Sequence, residues 1–248
     1  MTFDPFGDFS TRGYLRNKAG LHDPTAVKQF EHVAFLNKLD DAFAYLRKIK
    51  RLAYADVLNT HRILFEDVYP WAGQDRTQTA PDIAITRGPV LFSHPNDSRA
   101  AVEYALGRGQ DKAVMASKPG EVMGYLAYGH PFLDGNGRTI MTVHTELAQR
   151  AGISIDWATT EKVDYLQTLT RELYEPGKGH LDAYLTPFIS KSVGHDRLAG
   201  HMTQISGLAG QASLPGAAEE VLGRFSDPEV TARYQLQQQR RGPPDPKP

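Results

Sequence analysis

The 248-residue chain contains no cysteine. That removes disulfides, thiolate zinc sites and cysteine nucleophiles, and fits a reducing compartment. Net charge is also lacking: 28 Lys and Arg against 29 Asp and Glu leave a formal −1. No electrostatic pull toward nucleic acid or an anionic membrane is therefore expected. No stretch approaches the roughly 18–20 apolar residues that a membrane-crossing helix needs. The start, Met-Thr-Phe-Asp-Pro-Phe-Gly-Asp-Phe-Ser, is acidic and has no apolar core of a secretory signal. No internal repeat is visible. What remains is a globular composition, 40% hydrophobic and 23% charged, with room for one sizeable domain or a domain plus a tail. A cytoplasmic protein is the expectation.

The apolar spacing reads as mostly helical. Residues 1–23, with Gly7, Gly13 and Gly20, read as an irregular arm. Asp23-Pro24 is a helix start, with an acceptor side chain at the cap and proline at the first position. Phe30, Val33, Phe35, Leu36, Leu39, Phe43 and Leu46 then give an apolar face for one or two helices to about residue 50. Further helices are expected at 54–65, 98–106, 121–128, 139–151, 160–174 and 181–189. Between residues 74 and 97 the period changes to that of strands. Thr77, Thr79, Ile83 and Ile85, then Val90 and Phe92, suggest two short extended runs around an Arg87-Gly88-Pro89 turn. Such a hairpin is marginal alone and needs something to lie against. Residues 193–248 are polar and end Gln- and Pro-rich. Short helices are expected near 196–208, 216–224 and 228–240, with disorder from 241. The division is thus an arm at 1–23, a domain at 24–192 and a tail at 193–248.

The chemistry concentrates in Gly129-His-Pro-Phe-Leu-Asp-Gly-Asn-Gly-Arg138. His130 is the side chain there that can exchange a proton near neutral pH and so activate a hydroxyl. Asp134 can hold Mg²⁺, a hard cation that prefers carboxylate and phosphate oxygens. Gly135 and Gly137 let backbone approach a phosphate, Asn136 adds a donor, and Arg138 offers a planar fork at a helix start. Phe132 reads as the apolar anchor of the loop. Base, metal ligand and anion cradle together point to phosphoryl or nucleotidyl transfer. On spacing alone the stretch could equally be a glycine-rich turn, since Asp-Gly and Asn-Gly are common turn pairs.

His130-Pro-Phe-Leu-Asp-Gly-Asn-Gly-Arg138 resembles the signature of the Fic (filamentation induced by cAMP) family, His-Pro-Phe-x-Asp/Glu-Gly-Asn-Gly-Arg-x-x-Arg. Leu64-Phe-Glu-Asp-Val-Tyr-Pro-Trp-Ala-Gly-Gln74 with Arg76 is similar to the segment entering that family's flap hairpin. Tyr14-Leu-Arg-Asn-Lys18 and Leu21 are similar to the N-terminal arm of its bacterial toxin-like and effector-like members. The resemblance covers about residues 10–190. It implies an all-α Fic fold, a helical bundle with a short β-hairpin flap, that transfers AMP from ATP to a Tyr, Ser or Thr hydroxyl of a target protein. By position, His130 is implied as general base and Asp134 as Mg²⁺ ligand. Gly135, Asn136 and Gly137 are implied as the anion hole, and Arg138 as the phosphate-pairing cation. The hairpin, with Ile83, Ile85, Val90 and Phe92, is implied as the flap that aligns a target strand. Relatives of this kind modify type II topoisomerase subunits, and some pair with a small antitoxin or are secreted as effectors.

One departure stands out. The signature's second arginine falls on Met141, which cannot orient a γ-phosphate. No inhibitory Ser/Thr-x-x-x-Glu-Gly/Asn motif accompanies it. Transfer of another nucleotide or phosphate group, or a degenerate module that only binds, therefore stay open as alternatives.

Overall fold

Asp23 caps the first long helix as its sequence requires, its carboxylate accepting the Thr25 N–H at 3.0 Å. The computed structural model describes residues 3–203 and 219–241. After α1 (Phe9–Arg12) and a 3-10 turn come α2 (Pro24–Lys48), α3 (Tyr54–Phe65) and α4 (Arg76–Thr79). A hairpin of β1 (Ile83–Arg87) and β2 (Val90–Leu91) follows, then α5 (Pro95–Gln110), α6 (Lys112–Ser117), α7 (Pro119–Gly129) and α8 (Asn136–Ala151). β3 (Ile153–Ile155), α9 (Lys162–Tyr174), α10 (His180–Leu185), β4 (Ile189–Lys191) and α11 (Leu198–Thr203) complete this part. β5 (Glu219–Arg224) and α12 (Pro228–Arg241) end the described chain. No described helix is long and apolar enough to cross a membrane.

α8 is the centre. Its spacing of Ile140, Val143 and Leu147 predicts one apolar face, yet every residue from Thr139 to Ala148 is buried. The reason is position: α2, α3, α6 and α7 all pack around it, and a helix enclosed on all sides buries its polar face too. Some of those polar groups find backbone partners, whereas Thr139 Oγ1 and Thr145 Oγ1 have none among the described residues. Thr142 Oγ1 donates to the Arg138 carbonyl at 2.8 Å, and His144 Nε2 donates to the Pro119 carbonyl at 2.8 Å. Gly152, at φ 84°, ends the helix in the left-handed conformation that favours glycine.

Three local expectations are corrected. Thr77 and Thr79 are not extended: the Asp75 carboxylate accepts the Thr77 N–H at 3.1 Å and starts α4 instead. Residues 219–224, expected as helix, form strand β5, which pairs antiparallel with β1 and makes a sheet of order β2-β1-β5. Val221 faces a ready strand edge there, and the edge overrides local propensity. A second small sheet, β3 with β4, has Ile155 opposite Ile189 and replaces part of the helix expected at 181–189. The helix expected at 228–240 is present as α12. The expectations for residues 204–218 and for disorder at 242–248 lie outside the described residues.

The arm is knitted to the body rather than loose. Asn17 closes its own turn through the Tyr14 and Leu21 carbonyls, and Trp71 Nε1 donates to the Leu15 carbonyl at 2.8 Å. After residue 192, Leu198 and Met202 enter the main core. β5 and α12 instead build a separate small cluster of Phe225, Val230 and Tyr234 against Ala84 and Leu91.

Candidate active site

α7 is almost wholly buried and ends at Gly129, where no side chain fits: an added Cβ would lie 2.6 Å from Val102 Cγ2. Its last carbonyl accepts the hydroxyls of Ser93 (2.7 Å) and Ser98 (2.5 Å). The chain then turns sharply, with His130 at φ 41° and ψ 57°. A histidine in the left-handed region carries strain that its surroundings must hold. They do so from three sides. The ring stacks on Phe92 at 4.0 Å, and the Arg76 guanidinium donates to the His130 carbonyl at 2.8 Å. On the third side, Asn136 Nδ2 lies 3.2 Å from Nε2.

Asn136 also fixes which histidine nitrogen bears the lone pair. Its Oδ1 accepts the Phe132 N–H at 2.9 Å, and its Nδ2 donates to the Phe132 carbonyl at 2.7 Å. That orientation leaves Nδ2, a pure donor, facing His130 Nε2. Nε2 is thus assigned as the acceptor, the form that a base requires. The amide of Asn136, expected as an anion donor, is spent on shaping the loop and holding this tautomer.

Arg76 is fully buried and does more than hold His130. Its guanidinium also donates to the carbonyls of Ile83 (3.2 Å) and Ser93 (2.7 Å), and its backbone N–H to the Pro131 carbonyl at 2.7 Å. One side chain therefore ties the loop to both ends of the hairpin. His61 braces the loop from beneath. It accepts the Gly73 N–H at Nδ1 (2.9 Å), so Nε2 donates to the Asp134 carbonyl at 3.0 Å, and its ring stacks on Phe132 at 3.8 Å. Burial pushes the His61 pKa down to about 3, so it serves as a neutral strut. Phe132 is fully buried, the anchor its sequence suggests.

The charged groups meet on α2. Burial alone would raise the Asp134 pKa, but Lys28 and Arg138 beside it hold it below the usual value, so it stays a carboxylate. Lys28 pairs with Asp134 and reaches Glu31 at 3.1 Å. Glu31, fully buried, also takes the Arg138 guanidinium at 2.8 Å and the Tyr69 hydroxyl at 2.6 Å. Arg138 lies over the Phe65 ring at 4.7 Å. The sequence reading missed Lys28, Glu31, Tyr69, His61 and the role of Arg76. Glu31 was findable: it shares the inward stripe of α2 with Val27, Ala34 and Phe35, where a charge has to have a partner.

α8 opens toward the loop. Gly135 stands at φ 75°, and a Cβ there would lie 2.7 Å from the Phe65 ring. Gly137 has open space around its missing Cβ. The first bond of the helix runs from the Thr139 N–H to the Gly135 carbonyl at 3.0 Å. The N–H groups of residues 136–138 precede it, the arrangement that favours an anion at a helix start. A carboxylate held ionised beside an open glycine, a guanidinium and helix N–H groups suits a divalent cation with phosphate oxygens.

Not every expected residue is available. Ile85, Val90 and Phe92 have their side chains in the core, so they fasten the hairpin from within, and the edge of β1 is already paired with β5. Ile83 is half-buried. Met141 is also in the core, 6% exposed. His195 pairs with Glu146 at 3.3 Å and His201 bonds the Ile155 carbonyl at 2.8 Å. No cluster of metal-ligating side chains occurs among the described residues.

Comparison with known proteins follows the same lines. The Fic/DOC family pattern matches residues 51–148. Protein adenylyltransferase VbhT of Bartonella schoenbuchensis is 30% identical over 195 residues, which is 72% of this chain and 37% of that protein. The chain thus spans a little over a third of that relative. Probable protein adenylyltransferase y4lH of Sinorhizobium fredii is 30% identical over 166 residues, 63% of this chain and 82% of that protein. Two solved structures share the fold. BepC of Bartonella tribocorum with bound AMPPNP has 18% identity and a TM-score of 0.57, covering 71% of this chain and 92% of that one. A Fic domain of Bartonella quintana with bound ADP has 19% identity and a TM-score of 0.60, covering 75% and 95%. With its loop, its hairpin and its central helix arranged in the Fic fold, this chain belongs to the Fic/DOC family.

Proposed function

We propose that the protein is a nucleotidyltransferase that moves AMP from ATP to a hydroxyl of a target protein. The observation that carries this reading is His130 Nε2, facing the Asn136 amide in the same loop as the ionised Asp134 and the open start of α8. In this mechanism the target hydroxyl replaces the Asn136 amide at Nε2 and gives its proton to that nitrogen. Its oxygen bonds to the α-phosphorus as the bond from that phosphorus to the bridging oxygen breaks, and pyrophosphate leaves. Asp134 would hold a divalent cation once Lys28 moved off the carboxylate. A bound Mg²⁺ supplies neutralisation of the phosphate oxygens. The N–H groups of residues 136–138 and the side chain of Arg138 receive the phosphates, the Gly135 N–H being spent on the Asp134 carboxylate at 2.7 Å, and the edge of the hairpin aligns the target segment.

A second reading, transfer of a different phosphate-bearing group, is favoured by Met141. The second arginine of the signature is replaced here by a core side chain. The two are separated by incubating the protein with Mg²⁺, bacterial lysate and each nucleoside triphosphate labelled at the α-phosphate. Label from ATP on a lysate protein, lost in His130→Ala, supports AMP transfer, whereas label from another nucleotide alone supports the second reading. No label from any of them removes both. Type II topoisomerase subunits are the first purified targets to assay.

A further inference from the structure

Both hydrogen-bonding edges of the hairpin are covered by the chain's own tail. β5 runs antiparallel along β1, Thr86 opposite Glu220 and Ile85 opposite Val221. On the far side the Leu91 N–H donates to Gln237 Oε1 at 2.9 Å, and Gln237 Nε2 donates back to the Leu91 carbonyl. The side-chain amide of α12 thus imitates the peptide group of a pairing strand. Arg233 donates to the Pro89 carbonyl at the turn, at 3.2 Å. α12 then reaches α7 two residues ahead of His130, where Gln238 bonds the Tyr128 hydroxyl and the Arg241 guanidinium lies 3.5 Å from that ring.

The strand itself is held lightly by its side chains. Val221 and Leu222 remain 45% and 37% exposed, and the ladder is irregular at Ala84 and Ile85. Its fastening is main-chain pairing, the anchor of Phe225, Val230 and Tyr234, and polar contacts at its end, where the Asp82 carboxylate accepts the Ser226 N–H and hydroxyl at 2.7 Å each and lies 3.7 Å from the Arg224 guanidinium. A strand edge is a template for any extended segment that offers the same main-chain groups. What main-chain bonds hold, main-chain bonds of another strand can replace.

We propose that β5 is an internal stand-in for the target segment, and that the target pairs with β1 by displacing it. The partner so described is an extended peptide antiparallel to Ile83–Arg87. It carries acidic residues at the register of Glu219 and Glu220, opposite Arg87 and Thr86, and a small residue opposite Ala84, where Gly223 now sits. The proposal rests on the reading that the hairpin edge receives the target.

The absence of cysteine makes a clean test. In the full chain, Thr86→Cys with Glu220→Cys places two thiols directly opposite, within reach of a disulfide. Oxidation locks the tail down and reduction releases it in the same protein. Phe225→Ala with Tyr234→Ala loosens the anchor without touching the loop. The probe is a fluorescein-labelled peptide with the sequence of residues 219–225, beside one with lysine at both glutamates. The acidic peptide is expected to bind the loosened protein at least ~10-fold more tightly than the oxidised one, and the lysine peptide less tightly than the acidic one. Label transfer from ATP to lysate protein is expected to fall at least ~10-fold on oxidation and return on reduction. Equal peptide binding by locked and released forms, or no binding to the loosened form, overturns the proposal. Equal label transfer in the two redox states overturns it as well. Absence of transfer in every form, wild type included, removes the adenylyltransferase reading, and the peptide measurements still decide the strand exchange.

Discussion

The loop from His130 to Arg138 and the hairpin sheet lie against each other and are held by opposite means. The loop depends on single buried polar groups. Asn136 closes its turn, His61 supports its floor, and Glu31 and Lys28 engage its charges. The sheet depends on repeated main-chain bonds and a small apolar cluster of its own. The difference suits the two tasks proposed for them. Reacting atoms have to be fixed to within a fraction of an ångström, whereas a docking edge has to exchange one strand for another. Arg76 and Phe92 belong to both regions: the guanidinium bonds the carbonyls of His130 and Ser93, and the Phe92 ring stacks on His130.

The contrast can be broken experimentally, beginning with the loop. His130→Ala removes the proposed base and should lower AMP transfer by ~10²–10⁴-fold, read as label on the target, while peptide binding at the sheet is retained. Arg76→Met severs the join and leaves the carbonyls of His130, Ile83 and Ser93 without a donor. A loss of about 3–5 kcal/mol is expected, measured by urea denaturation; a loss below about 1 kcal/mol would show that the carbonyls find other donors.

Acid should next attack the buried histidines, His61 under the loop and His144 between α8 and the start of α7. Burial lowers the pKa of His61 to about 3 and of His144 to about 4, against about 6.5 in the unfolded chain. The folded values are the lower ones, so the unfolded chain takes up protons first. The stabilisation is complete above about pH 6.5 and is lost as pH falls toward the folded values. Between pH 8 and 5.5 the two histidines together should cost about 3 kcal/mol. Urea midpoints across that range test this, and His144→Gln should remove about half of the dependence.

The two glycines of the loop give the smallest and most selective effect. Gly135→Ala meets the Phe65 ring at positive φ and should cost about 2 kcal/mol of stability. Gly137→Ala enters open space and should leave stability within about 1 kcal/mol or raise it. If the start of α8 cradles phosphate, the same Gly137 variant should still bind ATP about tenfold more weakly. Unchanged ATP binding by calorimetry would place the nucleotide elsewhere.

The sequence by itself determined the loop. The order of His130, Asp134, Gly135 and Gly137 along the chain marks a turn and a helix start with an anion-favouring end, while the strained backbone of His130 is held by Phe92, Arg76 and Asn136. It likewise determined the start of α2, capped by Asp23, and the apolar spacing of α3, which are local signals, although Val33 and Leu36, expected on the inward face of α2, are exposed. Tertiary structure decided what those residues touch. Burial of α8 from Thr139 to Ala148, the meeting of Glu31 with Arg138, and the three carbonyls on Arg76 join parts of the chain far apart in sequence. Strand β5 is the clearest case. Its residues carry a weak local preference, and the free edge of β1, more than 130 positions earlier, supplied the main-chain partners that made them a strand.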